Sequence, residues 1–278
     1  MSEPSPPLDS GLARRRFAAA ARSYAAASRL EAEVAARMLE RLDYIKLAPR
    51  RILDAGSGPG RDLAALRRRY PRAEIVALDA AFALLPKTTL LQKLFSRPLL
   101  PVCGAIERLP FAEASFELAW SNMALHWVNE PAAALGELER ALAPEGLLMF
   151  STLGPDTLKE LRAAAGARRV HEFVDMHDLG DMLVAAGFQA PVMDMEMLRV
   201  DYASGLGLLE DLRASGQVNA RRDRPRGLAG RGFRARLERA LGARMHSTYE
   251  VIYGHAWKRA VSAAAPTAKT IRVFKRIP

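Results

Sequence analysis

Residues 51 to 70 join a short apolar run to a cluster of glycines and then to a helical pattern, and few folds accommodate that order. Arg51-Ile52-Leu53-Asp54-Ala55 reads as a buried strand, Gly56-Ser57-Gly58-Pro59-Gly60 as a turn, and Leu63 to Tyr70 as a helix ended near Pro71. A strand, a glycine turn and a helix in this order open a βαβ unit of a parallel sheet. Glycines there permit a tight turn and let the backbone approach a ligand where any Cβ would clash. The next apolar run, Glu74 to Asp79, is a second strand ending on an acid 25 positions after Asp54, suited to holding ribose hydroxyls. A dinucleotide turn has the form G-x-G-x-x-G and points a helix N-terminus at a pyrophosphate. Here the form is D-x-G-x-G-x-G. The carboxylate at its head disfavours a pyrophosphate and suits a cationic amino-acid moiety.

Strand-like and helix-like patterns continue to alternate. Ser28 to Leu42 is amphipathic at helical spacing. Leu99 to Cys103, Phe116 to Ser121 and Leu147 to Thr152 read as the third to fifth strands. Pro131 opens a helix stopped by Ala143-Pro144-Glu145-Gly146. Asp178 to Ala186 is a helix closed by Gly187, leading to a strand near Val192 to Tyr202. An Arg- and Gly-rich helical stretch covers Gly205 to Arg244, before a final strand at Thr248 to Trp257. Thr270 to Phe274 is a candidate edge strand in the tail. The expected division is a disordered N-terminus (1–12), a helical lid (13–48), an α/β core (49–204), a helical Arg-rich cap insertion (205–246), and the last strand with the tail (247–278).

The single cysteine, Cys103, excludes a disulfide framework and a Cys-based metal site within the chain. No apolar run approaches the ~20 residues of a membrane helix, and a cytoplasmic location is expected. The Arg- and Ala-rich Leu12 to Tyr24 superficially resembles a mitochondrial transit peptide. Arg outnumbers Lys along the whole chain, however, so that bias is global. The net charge of +10 suggests an acidic partner or a solubilising surface. Its densest cluster is Arg221, Arg222, Arg224 and Arg226, with Arg231, Arg234, Arg236 and Arg239 after it. No aromatics interleave these arginines as single-strand stacking would want, so no nucleic-acid partner is expected. His171, His177 and His255 are too scattered to argue for a metal, and none is expected.

The run Asp54 to Gly60 resembles motif I of class I S-adenosylmethionine-dependent methyltransferases. That resemblance implies a Rossmann-like α/β fold: a mostly parallel seven-stranded sheet with helices on both faces, N-terminal helices and a helical cap. It implies S-adenosylmethionine as cofactor and S-adenosylhomocysteine as product, bound by Asp54, Gly56, Ser57, Gly58, Gly60, Asp79 and Ala80. Gly104 to Phe111 resembles the segment that cradles adenine, with Ile106 packing on the ring. Ala105 stands where the family commonly has an acid. Ser121, Asn122 and the residues on to Trp127 follow the fourth strand, where family members line the transfer site.

Phe17-Ala18-Ala19-Ala20-Ala21-Arg22-Ser23-Tyr24, Leu118 to Asn122, and Thr248-Tyr249-Glu250-Val251-Ile252-Tyr253-Gly254-His255-Ala256-Trp257 are similar to the malonyl-[acyl-carrier protein] O-methyltransferases of biotin synthesis. Leu125 to Asn129, Asp156 to Arg162, and Asp178-Leu179-Gly180 followed by Ala186-Gly187-Phe188 are equally at home in the methyltransferase-like arginine hydroxylases that assist assembly of respiratory complex I. The Tyr24 motif and the G-H-A-W ending favour the former. That family implies methylation of the free carboxylate of a malonyl thioester on acyl carrier protein. Tyr24 is then a candidate lid residue, or packs an N-terminal helix. His126 and Trp127 either shape the acceptor pocket or fill the core. The Arg221 to Arg226 cluster becomes a surface for the acidic carrier protein. A silent cofactor-binding scaffold is the remaining alternative, and the oligomeric state is open.

Overall fold

The glycine turn sits at the centre of a seven-stranded sheet whose order is β3-β2-β1-β4-β5-β7-β6. The computed structural model describes residues 7–87, 99–227, 229–230 and 232–260. The strands are β1 (Arg51–Ala55), β2 (Glu74–Asp79), β3 (Leu99–Cys103), β4 (Phe116–Ser121), β5 (Leu142–Leu153), β6 (Phe188–Tyr202) and β7 (Met245–Lys258). The first five run parallel. β7 is antiparallel to both neighbours. The chain order reverses on either side of β1, so the carboxyl ends of β1, β2 and β4 flank one crevice, where open α/β sheets bind ligands.

The helices are α1 (Ser10–Ala20), α2 (Tyr24–Ala27), α3 (Arg29–Arg41), α4 (Leu63–Arg69), α5 (Pro131–Ala141), α6 (Lys159–Ala165), α7 (Met176–Ala185), α8 (Gly205–Ala214) and α9 (Phe233–Leu241). Helices on both faces explain why β1, β2 and β4 read as nearly continuous apolar runs rather than alternating ones. On one face Val34, Met38 and Leu42 meet Ile52, Ile75, Leu118 and Trp120. On the other, Leu135 and Leu138 meet Leu53, Val76, Ala119 and Leu148.

Several expectations need correction. Disorder over 1–12 does not hold for the described part. Leu8 forms an antiparallel bridge with Arg221, its N–H donates to Asn129 Oδ1 at 2.6 Å, and Asp9 caps α1 through the Leu12 N–H. Residues 1–6 and the tail candidate at 270–274 lie outside the described residues. The stretch at 143–146 is looped out within β5. Phe116 pairs with Leu142 and Leu118 with Leu147, and Glu145 takes φ 60°. β6 begins earlier than expected because it continues through a bulge at Ala190-Pro191, where the register with β7 shifts. The described residues of the Arg-rich stretch form two separate helices, α8 and α9, rather than one helical run.

Candidate active site

β1 delivers Asp54 and the glycine turn into the crevice, and β2 delivers Asp79. The Gly56 and Ser57 amides donate to Leu78 O at 2.8 and 2.9 Å, which clamps the turn onto the end of β2. Asp79 holds the loop's middle. Its Oδ2 accepts from the Gly58 N–H at 2.9 Å and its Oδ1 from the Ala81 N–H at 2.7 Å. Burial pushes the Asp79 carboxyl up, opposed by these two N–H donors. The three glycines serve different ends. A Cβ on Gly56 would stand 2.2 Å from the Ala124 Cβ, and one on Gly60 2.4 Å from Leu63 Cδ1. Both are fixed by protein packing. Gly58, at φ 52°, lies under the Tyr24 ring, where a Cβ would make only ordinary contact at 3.7 Å, and its backbone borders the cavity over the turn.

A cavity of about 340 Å³ opens over the turn. Gly56, Gly58, Asp79, Ala80, Ala105, Ile106 and Asn122 line it, as the sequence suggests. Glu107 also lines it, two positions after Ala105, and supplies a carboxylate in that wall. Tyr24 and Trp127 form the opposite side with Phe17 of α1. The Phe17 and Trp127 rings meet edge to face at 4.8 Å. Burial and the Glu31 and Asp79 charges push the Tyr24 hydroxyl above its ordinary value, so it stays protonated.

Below this cavity lies a small recess lined by Tyr24, Glu31, Asp54, Ser57, Arg61, Asp62 and Asn122. Asp54 is buried, and its Oδ2 has no hydrogen-bond partner among the described residues. Burial, then the Asp62 and Asp79 charges, pushes its carboxyl up. Burial raises Asp62 too, despite donors from Trp120 Nε1 at 2.8 Å and Asn122 Nδ2 at 3.1 Å. Glu31 is raised by burial while the Gln217 side chain donates to it. Of these three sequestered carboxylates, Glu31 and Asp62 feel the positive charge of Arg61, while Asp54 feels only its acidic neighbours. An orphaned buried carboxylate oxygen among like charges wants a cationic guest. The recess therefore fits the ammonium of S-adenosylmethionine, and the larger cavity fits its nucleoside.

Not every expected residue reaches the crevice. Ser121 is buried and donates to Ala55 O at 2.9 Å, bracing β4 against β1. Ser57 lines only the recess. His126 faces a second cavity of about 170 Å³, lined also by Trp127, Leu158, His171, Phe173, Leu209 and Tyr249. Trp127 thus borders both cavities. Burial pulls His126 down to about 3, and its Nδ1 has no partner among the described residues. Arg221 is the clearest correction. Its side chain is 4% exposed and paired with Glu172 at 2.7 Å and Asp223 at 2.8 Å. A buried guanidinium must be paired in this way, so it is an internal clamp and not a partner surface. Arg222 and Arg226 are exposed and Arg224 half-buried. The sequence reading missed Asp62 and Glu31, while Ala124 lines the cavity within the segment it placed there. Asp62 lies two positions after the glycine turn, but nothing local marks Glu31, which arrives from α3.

A family profile described as a methyltransferase domain matches residues 53–150. The YcgJ protein of Bacillus subtilis superimposes with a TM-score of 0.60 at 17% identity, over 82% of this chain and 99% of that one. A possible histamine N-methyltransferase of Thermotoga maritima gives 0.54 at 15% identity, over 89% and 100%. Fold and site define a Rossmann-like class I methyltransferase. Among curated relatives, the malonyl-[acyl-carrier protein] O-methyltransferase of Methylovorus sp. is 50% identical over 93% of this chain and 92% of its own length. That of Gallionella capsiferriformans is 47% identical over 97% and 98%. The chain belongs to the malonyl-[acyl-carrier protein] O-methyltransferase family.

Proposed function

We propose that the protein methylates the free carboxylate of a malonyl thioester on acyl carrier protein, with S-adenosylmethionine as donor, in early biotin synthesis. The observation that carries the donor is the recess holding Asp54, Asp62 and Glu31 beside the Asp79-walled cavity. The acceptor rests on the relatives' names, which favour methyl transfer over arginine hydroxylation. A cytoplasmic setting suits the exposed, unpaired Cys103 thiol. Among the described residues, no helix is long and apolar enough to cross a membrane.

The sulfonium cofactor supplies an electrophilic methyl group. The chain's own task is orientation. An acceptor carboxylate is already ionised at neutral pH, so no general base is needed. Asp79 positions the glycine turn and offers its carboxylate to ribose hydroxyls. Ile106 packs the base. Tyr24, Phe17 and Trp127 wall the space above Gly58, exclude water and hold the acceptor in line. His126 lines the second cavity beyond Trp127, away from the transfer site.

Label transfer from methyl-labelled S-adenosylmethionine tests this, with malonyl-acyl carrier protein as acceptor and acetyl-acyl carrier protein as control. Label on the malonyl form alone is expected. No label on either, with cofactor binding intact, would sink the assignment.

A further inference from the structure

We propose that α1 and the turn around Arg222 form one basic docking surface for an acidic carrier protein, at the mouth of the donor cavity. This deepens the function proposed above and rests on it for the identity of the partner. The arginine cluster near residue 222 is visible in the sequence, but its loss of Arg221 to the interior and its union with α1 are not.

The union is made by backbone. The Asp9 N–H donates to Ala220 O at 2.7 Å, and the Arg222 N–H donates to Pro7 O at 3.0 Å. Leu8 and Arg221 form the bridge between them. These contacts bring a turn more than 200 positions away against the start of α1. The Asp9 carboxyl registers the convergence. It lies below the usual carboxylate range, first through the Leu12 N–H and then through the positive field of Arg15, Arg224 and Arg222.

α1 carries two kinds of residue. Ser10, Ala13, Arg14 and Phe17 share one face at helical spacing and line the donor cavity. Arg15 and Arg16 fall off that face and are exposed, as is Arg222. None of Arg15, Arg16 and Arg222 makes a salt bridge with another described residue, although the chain forms many elsewhere. Cations gathered around the Asp9 carboxylate still outnumber it and repel one another, and an anionic partner lowers that cost. Clustered charge of one sign also steers an oppositely charged protein toward it. The surface adjoins Phe17 and Arg14 at the cavity rim. A carrier docked there presents its thioester arm over α1, toward the space between Tyr24 and Trp127. Arg239 of α9, a helix packed against α6 and α8, lies outside this arrangement.

The test is direct binding of holo-acyl carrier protein, followed by fluorescence anisotropy at low and high salt, alongside methyl transfer. In the combined variant Arg15→Glu, Arg16→Glu and Arg222→Glu, the carrier Kd is expected to rise by about tenfold or more and lose its salt dependence. Arg239→Glu leaves the Kd unchanged, and the triple lysine variant keeps binding near wild type. With a carrier-free malonyl-pantetheine thioester, kcat and KM stay within about twofold of wild type for the triple glutamate variant. Wild-type binding that the glutamate variant matches, or no binding by wild type, overturns the surface. Carrier binding through these arginines without label transfer to malonyl-acyl carrier protein keeps the surface and overturns the proposed reaction instead.

Discussion

Replacing Asp54 with asparagine sets stability against cofactor affinity, with opposite signs. Asp54 is 2% exposed, and its Oδ2 lacks a partner among the described residues. Its carboxyl is pushed up first by burial and then by Asp62 and Asp79. An unsatisfied buried polar group costs about 1–3 kcal/mol. An amide of the same shape stays polar and unsatisfied but removes the charge and the repulsion, so the cofactor-free variant should gain the excess that the charge costs, about 1 kcal/mol or more. For a chain of this size that is a rise in Tm of roughly 2–4 °C per kcal/mol. The pH dependence has a definite sign. A carboxyl whose folded pKa is raised contributes stability below its unfolded value near 3.9 and loses it as pH rises through the folded value. The variant has no such loss, so its advantage should grow from pH 4 toward pH 7. Binding moves the other way. A charge-assisted hydrogen bond to a cation is worth about 1.5–3 kcal/mol, so the Kd for S-adenosylhomocysteine should rise roughly 10- to 150-fold. Thermal melts of the cofactor-free protein and calorimetric titration with S-adenosylhomocysteine read the two effects. A variant less stable at pH 7, or one that binds as tightly as wild type, would refute the reasoning.

Two further outcomes follow from particular contacts. Gly56→Ala forces a Cβ to within 2.2 Å of the Ala124 Cβ at φ 82°, and should cost about 2–5 kcal/mol from overpacking and left-handed strain together. In an Ala124→Gly background only about 1–2 kcal/mol of strain should remain, so urea unfolding of the four proteins should show clear coupling. Equal costs in both backgrounds would mean that Ala124 does not set this glycine. His171 is pulled down to about 4, first by burial and then by Arg221, and its Nε2 accepts the Ala220 N–H at 2.9 Å. A base with a depressed folded pKa contributes stability above its unfolded value of about 6.5 and loses it as pH falls toward the folded one. Wild type should therefore lose about 3 kcal/mol more than His171→Gln between pH 6.5 and pH 4. Parallel stability curves in that window would contradict the assignment.

What the sequence determined by itself is local. The D-x-G-x-G-x-G run between a strand and a helix placed the crevice, and Asp79 at the end of the next strand completed its most recognisable pair. Apolar runs fixed β1, β2 and β4 to within a residue or so, because strands buried on both faces have no competing period. The early start of β6 escaped because a bulge at Ala190-Pro191 continues the ladder past a residue that ordinarily ends one.

Tertiary structure decided which polar residues meet. Glu31 and Asp62 are ordinary helix-associated acids in the sequence and become a guest-ready anionic recess only when α3 crosses the glycine turn. Arg221 reads as one more surface arginine until Glu172 and Asp223 take it inside, while Arg222 beside it turns out toward α1. The physical reason is the same in each case. Backbone period and turn chemistry act over a few residues and leave their mark in the sequence. Desolvation and charge pairing depend on groups tens to hundreds of positions apart, and only the folded chain brings those together.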